Sequence, residues 1–377
     1  MGRKTEMTLV NTTEVSVRDG VRSLMEVYAH IQHNDWVVIA YTPDSRMQAA
    51  HVVAYVNAHG ISHSTVAMLP LVDELLNARL TQALPKPSAF EGNLVVITLE
   101  RDTMSHFDQF APLFRVYGAG RTKVIRIISA SDEFFRQGLL LTPQELEDLN
   151  ATVLDFLAEE TNIVVTSPSG TYLEIELDQR RFQWISNRGK LRPGAFTILP
   201  AGEIATHPER VDGKLVADGA INCNVISRLD MRLREAPLVV DVSDSYVTNF
   251  QCANPELFEL VSTGFGMTNA RRVGELGFGT NRALGDFLSH NSHLNERHPG
   301  VHIGFGQHNQ SLDVLPYEAD IHLDAVTNGA TIYGARSGRV LDLASFQPDP
   351  AIAHPTLMRD EDITGDCCSA GCAVIAV

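Results

Sequence analysis

Cysteine is one of the scarcest residue types in this sequence, with only five among 377 residues. Cys223 and Cys252 stand alone, and the other three fall within the last eleven residues. So few and so unevenly placed cysteines exclude the disulfide framework that stabilises many small secreted proteins. Because reduced thiols are typical of the cytosol, we expect a cytoplasmic protein.

Positive charge is also in short supply. The chain has 30 Lys and Arg against 46 Asp and Glu, a formal net charge of -16. Since this surface would repel both nucleic acid phosphates and acidic lipids, we expect neither as a partner. No uninterrupted apolar run is long enough to span a bilayer, and residues 1–6 lack the apolar core of a signal peptide. These absences predict a soluble protein.

The length of the chain exceeds what a single core normally supports, so we expect two domains. Apolar runs at 35–41, 64–69, 92–99 and 123–129 alternate with helical patterns at 15–31 and 45–58. This alternation predicts an α/β domain with a parallel sheet. Thr142, Pro143 and Glu145 indicate the start of a further helix that runs to about residue 160, where we place the domain boundary.

After residue 160 the pattern changes to short strands separated by turns. Strands are predicted at 162–167, 172–177 and 181–185, and helices near 255–262 and 268–273. The expected fold is an α/β N-terminal domain with a parallel sheet over 1–160 and a mainly β (α+β) metal-binding domain over 161–346. The remaining residues, 347–377, combine a Pro- and Asp-rich linker with a Cys-rich tail.

Several short apolar runs of the second domain contain a side chain that can bind metal. These side chains are Glu275, His302, His322 and Asp324. An unpaired buried carboxylate or imidazole is costly, and a bound cation would compensate this cost. On a strand, His322 and Asp324 would share a face with Asp320, which presents nitrogen and oxygen ligands to one ion. Histidines that are hydrogen-bonded within the core are the alternative.

Four segments in this order resemble the thermophilic metalloaminopeptidase family, the leucyl aminopeptidases of the aminopeptidase T and S type. They are Leu-Pro-Ala-Gly-Glu at 199–203, Asn-Ala-Arg-Arg-Val-Gly-Glu-Leu-Gly-Phe-Gly at 269–279, Val-His-Ile-Gly-Phe-Gly at 301–306 and Ile-His-Leu-Asp at 321–324. The resemblance implies a two-domain enzyme that binds two divalent ions, Zn, Mn or Co. The implied metal ligands are Glu203, Glu275, His302, His322 and Asp324.

The activity that this resemblance implies is hydrolysis of an amide or peptide bond in a small peptide by a water that two metals activate. Glu203 would carry the proton. At the position where the aminopeptidases have a tyrosine that stabilises the reacting carbonyl, this chain has Asn309. Tyr317 and Tyr333 are near in sequence but out of register. The resemblance also leads us to expect a homodimer.

The same superfamily contains the 2,5-dihydroxypyridine 5,6-dioxygenases, which cleave an aromatic ring with one Fe(II). In this alternative His302, His322 and Asp324 would hold the iron and leave positions open for dioxygen and an aromatic small-molecule substrate. His106 and His207 would then be candidate bases close to the iron that do not bind it. His290 and His293 are three residues apart, a spacing that could bind metal on one helix face, but we expect this polar stretch to be a loop at the rim of the site.

The C-terminal tail suggests a third, non-enzymatic hypothesis. Cys367, Cys368, Ser369 and Cys372 lie among small residues, where they could be modified after translation. The body of the protein would then be a pseudo-enzyme that carries its tail to modifying enzymes. A terminus without fixed structure is the simpler alternative.

Overall fold

The computed structural model describes residues 15–101, 104–224 and 227–355. The first part of the chain alternates helices and strands, as its sequence pattern predicts. Its elements in chain order are α1 (Val17–Ser23), β1 (Trp36–Tyr41), α2 (Arg46–Ala58), β2 (Ser62–Ala67), α3 (Leu76–Ala83), β3 (Leu94–Leu99), α4 (Phe107–Phe110), α5 (Leu113–Tyr117), β4 (Thr122–Ile127) and α6 (Pro143–Leu157).

Four of these strands lie in one parallel sheet of five, in the order β2-β1-β3-β4 followed by a strand at Phe196–Leu199. All six residues of β3 are buried, as expected for a strand covered on both faces. One apolar cluster contains residues of α1 and α2, and another contains residues of α3, α4 and α5. Because β3 contributes alternate side chains to the two clusters, the helices cover opposite faces of the sheet.

Helix α6 connects the two parts of the chain. Its N-terminus has the capping box that the sequence predicts, since the Thr142 side chain accepts from the Glu145 N–H and Glu145 bonds back to the Thr142 N–H. Leu146 belongs to a core cluster of the first part, whereas Val153 and Phe156 belong to the core of the second. The helix is thereby fixed in both cores.

The rest of the described chain is mainly β. Its elements in order are β5 (Asn162–Thr166), β6 (Tyr172–Glu176), β7 (Ile185–Asn187), β8 (Phe196–Leu199), β9 (Glu203–Thr206), β10 (Arg210–Ala217), β11 (Ile221–Cys223), β12 (Leu238–Ser243), β13 (Tyr246–Gln251), α7 (Pro255–Phe265), β14 (Val273–Gly279), α8 (Leu294–Arg297), β15 (Gly300–Gly306), β16 (His322–Val326), β17 (Thr331–Gly334) and β18 (Val340–Asp342).

These strands, apart from β8, form two antiparallel sheets. One has seven strands in the order β13-β12-β10-β6-β5-β17-β18, and the other has six in the order β11-β16-β15-β14-β9-β7. A single apolar cluster joins them, with Leu173 and Leu215 from the first sheet and Phe278 and Phe305 from the second. The six-stranded sheet therefore gives one face to this core, and its opposite face is left for polar side chains.

Some predicted elements differ from the structure. The strand expected at 181–185 is instead a turn at 178–183 followed by β7, because Asp178 accepts hydrogen bonds from the N–H groups of Arg180 and Arg181. The helix expected at 268–273 is wrong. Those residues form a turn with Asn269 at φ 56°, after which β14 begins at Val273.

The parallel sheet with separate antiparallel sheets agrees with the expected fold class. Strand β8 lies beyond the boundary proposed at residue 160 and yet completes the parallel sheet. The chain therefore contributes β7 to the six-stranded sheet, returns to the parallel sheet with β8 and re-enters the six-stranded sheet with β9. The domain division itself stays a prediction. Within the described ranges, no helix combines the length and apolarity needed to cross a membrane.

Candidate metal centre

The five metal ligands implied by the sequence lie on the polar face of the six-stranded sheet. Residue pairing places Glu203 opposite Gly279, Gly277 opposite His302, Glu275 opposite Gly304, and Gly304 opposite Asp324. His322 pairs with Gly306 at the end of the same face. Because alternate residues of a strand share a face, four strands bring side chains from residues 203 to 324 together.

Glycines of β14 and β15 leave the space that these side chains occupy. A Cβ on Gly277 would lie 1.9 Å from His302 Nε2. A Cβ on Gly304 would lie 2.8 Å from His322 Cε1 and 2.9 Å from Asp324 Oδ1. The ligand side chains therefore lie across glycine positions of neighbouring strands, which no other residue type would permit.

The ligand atoms fall into two groups that share one residue. Glu203, Glu275 and His302 form the first group, and Glu275, His322 and Asp324 form the second, with the atoms of each group within 4.8 Å of one another. His302 Nε2 lies 2.8 Å from Glu203 Oε1 and 3.6 Å from Glu275 Oε1, and His322 Nε2 lies 2.9 Å from Asp324 Oδ1. Glu275 is thus placed between the two groups.

Several of these atoms are buried without a hydrogen bond of good geometry, which tests whether the site fits a cation. They include Glu203 Oε1, Asp324 Oδ2 and both ring nitrogens of His302. Such atoms are costly to bury unless something compensates them, and oxygen with imidazole nitrogen is a donor set typical of Zn and Mn. His322 Nδ1 donates to the Gln307 carbonyl at 2.7 Å, an orientation that directs Nε2 into the site. The residues fit one or two divalent cations.

Without a cation, the pKa values of the ligand side chains are set by the charged groups that lie close together in the cluster. Burial lowers the pKa of His302, but the close carboxylates of Glu203 and Glu275 outweigh burial and raise the pKa to about 10. Burial also lowers the pKa of His322, but the nearby carboxylate of Asp324 outweighs burial and raises this pKa to about 10. Burial would raise the pKa of Asp324, but the two imidazoliums lower it. A cation that binds here must displace these protons.

Two further charged residues of the site were not expected from the sequence. Arg297 Nη1 donates to both Glu203 Oε2 and Glu296 Oε2, and its Nε donates to the Pro200 carbonyl at 3.2 Å. Burial, reinforced by Asp324, raises the pKa of Glu296 well above its usual value. Both residues lie in α8, in the stretch that we expected to be a polar loop at the rim. Burial of Leu294 beside them is the tertiary contact that turns this stretch inward.

Helix α6 supports the site through a buried amide. Asn150 Nδ2 donates to the Glu203 carbonyl at 3.0 Å, to the Asn187 carbonyl at 3.2 Å and to Ser186 Oγ at 3.0 Å. Thr280 Oγ1 donates to Asn150 Oδ1 at 2.5 Å. One side chain thereby connects β7, β9 and the end of β14, and it holds the backbone of Glu203 in place.

The other residues considered from the sequence lie outside the two ligand groups. Asn309 is buried in the loop after β15, where its Oδ1 accepts from Gln310 Nε2 at 2.6 Å. Tyr317 donates to the Gly306 carbonyl at 3.3 Å, and Tyr333 is exposed in β17. Asp320 does not share the polar face with His322, because it is exposed and accepts from the Thr268 N–H.

The remaining histidines bond mainly to backbone. His106 bonds to the Leu69 carbonyl at 2.6 Å, in the first part of the chain. His207 Nδ1 donates to the Gly274 carbonyl at 2.8 Å, beside Glu275. The His293 N–H donates to Ser129 Oγ, and burial lowers the pKa of His290. The modification candidates Cys367, Cys368, Ser369 and Cys372 lie outside the described residues.

Residues 148–323 match the model of one protein family. It is described as crocagin biosynthetic protein CgnE/B. The matched segment spans β5 to β15 and includes four of the five implied metal ligands as well as Glu296 and Arg297. No curated protein matches the chain. This family is described by a biosynthetic role and not as an aminopeptidase family.

Two solved structures share the fold. The chain is similar to 2,5-dihydroxypyridine dioxygenase from Pseudomonas putida KT2440, with a TM-score of 0.61 and 14% identity over 89% of this chain and 99% of that one. It is also similar to AmpT from Thermus thermophilus, with a TM-score of 0.54 and 12% identity over 86% and 96% of the two chains. At such low identity these likenesses concern the fold alone.

Proposed function

We propose that the protein binds two divalent cations on the polar face of the six-stranded sheet and hydrolyses an amide bond of a small peptide during the biosynthesis of a natural product. The observation that supports this proposal is the position of Glu275, whose carboxylate belongs to both ligand groups. A carboxylate shared by two groups is the arrangement that a two-metal hydrolase needs. The family match to a crocagin biosynthetic protein supports the biosynthetic context.

The charges of the site agree with one or two divalent cations. Glu203, Glu275, Glu296 and Asp324 are four carboxyl groups beside one guanidinium, that of Arg297. With both histidines neutral, the net charge is about -3 when all four are ionised and about -2 when Glu296 keeps the proton that its raised pKa favours. Either charge is balanced to within about two units by one or two divalent cations, so the support for a second cation is the shared position of Glu275.

The cations would polarise the amide carbonyl and lower the pKa of a water. The protein would contribute the proton acceptor. Desolvation would raise the pKa of Glu203, but Arg297 outweighs burial and lowers it, so the carboxylate is ionised and can accept a proton from water. Arg297 holds Oε2 of this carboxylate, which leaves Oε1 directed toward His302.

Asn309 stands at the sequence position where the aminopeptidases have a tyrosine that stabilises the reacting carbonyl. Its amide side chain lacks the phenol hydroxyl that would do this. Tyr317 does not substitute, since its hydroxyl bonds to the Gly306 carbonyl. We therefore expect slow turnover of simple aminoacyl amides compared with a dedicated aminopeptidase. Homodimer formation stays part of the proposal.

Metal analysis and one variant test the proposal. Protein purified without chelators should contain about two Zn, Mn or Co ions per chain. The change His322→Ala should abolish turnover of aminoacyl amides and leave the fold intact, because it removes a ligand from the second group. His51→Ala, at an exposed histidine of α2, is the matched control and should keep full turnover. Unchanged turnover in the His322 variant would remove this residue from the site.

A mononuclear iron site is less well supported by the geometry. His302 belongs to one ligand group, whereas His322 and Asp324 belong to the other. The three residues of the proposed dioxygenase triad are therefore divided between the two positions. One ferrous ion per chain in anaerobically purified protein would nevertheless replace hydrolysis by ring cleavage as the activity to assay.

A carrier function is the second candidate, and two observations favour it. The matching family is described by a biosynthetic role, and the sequence ends in a segment with Cys367, Cys368, Ser369 and Cys372. We propose that the body then presents this segment to modifying enzymes. Intact-mass analysis of protein from its native host should show a mass shift confined to residues after Asp366. An unmodified tail together with a metal-loaded, active protein would exclude this function.

A further inference from the structure

A cleft of about 600 Å³ opens at one end of the six-stranded sheet. His207 follows β9, Arg272 precedes β14, and Tyr317 lies in the loop between β15 and β16, and all three line the cleft. The His207 ring bonds to the carbonyl of Gly274, the neighbour of Glu275. The Gln307 carbonyl, which accepts from His322, lies next to His308 in the chain. The cleft is therefore adjacent to residues of the second ligand group.

Four aromatic rings contact one another in a continuous chain, and three of them, Phe182, His207 and Tyr317, line the cleft. Phe182 contacts His207 edge to face, with ring centroids 4.7 Å apart. His207 lies 6.3 Å from His308, which contacts Tyr317 at 4.6 Å. Each contact is of the tilted kind that aromatic pairs prefer, so the rings hold one another in place. They give the cleft a rigid apolar wall.

A guanidinium lies over the ring at each end of this chain. Arg181 is 4.8 Å from the centre of the Phe182 ring, and Arg272 is 4.9 Å from that of Tyr317. Arg181 is neutralised by Glu209 at 3.0 Å. Among the described residues no carboxylate forms an ion pair with Arg272, although the whole chain has a net charge of -16. An unpaired, positioned guanidinium is suited to an anionic ligand.

His207 adds a second polar contact. Its Nδ1 donates to the Gly274 carbonyl, and burial lowers its pKa to about 4, so the ring is neutral at pH 7. In a neutral imidazole with hydrogen on Nδ1, Nε2 is an acceptor. The cleft thus offers one cationic donor and one acceptor beside an apolar wall. The C-terminal residue of a peptide has the complementary groups, since its N–H is close to its carboxylate.

We propose that this cleft binds the carboxylate of a peptide through Arg272 and the adjacent amide N–H through His207. The peptide nature of the ligand rests on the proposed function, but binding does not require turnover. A carboxylate fits better than a phosphate, because Glu209 and Asp244 also line the cleft and would oppose a dianion.

Calorimetric titration with N-acetyl-L-phenylalanine and with its primary amide tests the proposal. The two probes differ in charge, and neither has the free amino terminus that an aminopeptidase requires. The acid should bind the full-length protein about tenfold or more tightly than the amide, as expected for a charge-assisted hydrogen bond. Arg272→Gln should remove this preference. Equal affinity for acid and amide in the unaltered protein would overturn the proposal.

Arg271→Gln is the matched control. Arg271 is the neighbour of Arg272, but its Nε donates to the Phe265 carbonyl and its guanidinium lies over Phe250, away from the lining of the cleft. This variant should keep the preference for the acid. Repeating the titration with a chelator separates the cleft from the cations. If the preference for the acid disappears with the chelator and survives Arg272→Gln, the acid binds at the metal centre, and the proposal is overturned.

The outcomes separate this proposal from the proposed function. If Arg272→Gln loses acid binding and Arg271→Gln does not, the cleft is supported. If the same protein shows no turnover of amides, the hydrolase is refuted while the cleft proposal stands. Inorganic phosphate that binds more tightly than the acid and depends on Arg272 would refute a carboxylate site.

Discussion

At the scale of single residues, the site depends on a buried arginine. Arg297 is 1% exposed, and its partners Glu203 and Glu296 are each 5% exposed. Desolvation of such charges is recovered only while all of them remain paired. The same guanidinium fixes Glu203, the residue proposed to accept a proton. Stability and site geometry are therefore coupled through one side chain.

Arg297→Met should lower the free energy of unfolding by about 3–5 kcal/mol, because it removes the guanidinium that pairs with the buried carboxylate of Glu203. Chemical denaturation of the metal-free protein measures this loss. Arg232→Met is the control, since Arg232 pairs with Asp230 at a surface where both side chains are about half exposed. An exposed pair contributes roughly 0–1 kcal/mol. Equal losses in the two variants would contradict the structural role of Arg297.

At the scale of secondary structure, glycines determine which side chains fit on the polar face of β14 and β15. Both strands have an apolar face in the core, with Leu276, Phe278 and Ile303. On their other face each strand carries one metal-ligand side chain, Glu275 in β14 and His302 in β15, and the remaining positions are glycines. Glycine normally weakens a strand, so glycines at these positions need a compensating reason. The space that they leave for His302 and Glu275 supplies it.

Gly277→Ala should leave the protein folded and weaken divalent-cation binding about 10–100-fold, the range found when the support of a metal ligand is removed. The atoms nearest to the new Cβ belong to the His302 side chain and not to the backbone, so the ring of this ligand would have to shift. Gly279→Ala is the contrasting variant, because its Cβ would lie 2.0 Å from the His298 carbonyl oxygen and would strain the backbone. It should lower the melting temperature instead. Cation titration and thermal unfolding of both variants measure these effects, and unchanged cation affinity in the Gly277 variant would refute the role of the glycines.

At the scale of the whole molecule, the site depends on contacts between layers that are distant in sequence. Leu294 of α8 packs with a core cluster of the parallel-sheet part, while Arg297 of the same helix reaches the six-stranded sheet. Asn150 of α6 connects to the same sheet from the other end of the chain. Unfolding of either layer would therefore disperse the metal ligands.

The pH dependence of stability also belongs to the whole molecule. Burial lowers the pKa of His207 and His354 to about 4 each, below the ordinary value of 6.5. The unfolded chain takes up these protons first, so stability is complete above pH 6.5 and falls between pH 6.5 and 4. His207 contributes at most about 1.4 kcal/mol per pH unit. His302 and His322 act in the opposite sense, because their raised pKa values make their contribution complete below 6.5 and lost toward pH 10.

Denaturant unfolding at pH 7, 6 and 5 measures this acid limb. His207→Asn keeps a donor for the Gly274 carbonyl but cannot take up a proton in this range, so it should reduce the slope between pH 6.5 and 4. His51→Ala, at an exposed histidine, should leave the slope unchanged. A stability that rises on acidification through this window would contradict the neutral, buried state of His207.

Much of the secondary structure could be predicted from the sequence, since local patterns determine it. The parallel strands, the capped helix at 143–157 and the strands with His302 and His322 all occur where alternation and capping signals indicate them. The error at 268–273 arose because Asn269 adopts a left-handed turn, which its helical spacing does not reveal. Strand β8 shows a second limit, because joining the parallel sheet requires a return of the chain that no local signal indicates.

The sequence by itself determined which residue types are available for a metal centre, because side chains such as Glu275, His302 and Asp324 are stable in a buried strand only when a partner replaces the lost water. Only the tertiary structure decided how they are grouped. Strand register places Glu275 between two clusters, and the packing of Leu294 brings Glu296 and Arg297 into the site. The physical reason is range: periodicity along a strand sets the face of each side chain, whereas pairing between strands and packing between layers set its neighbours.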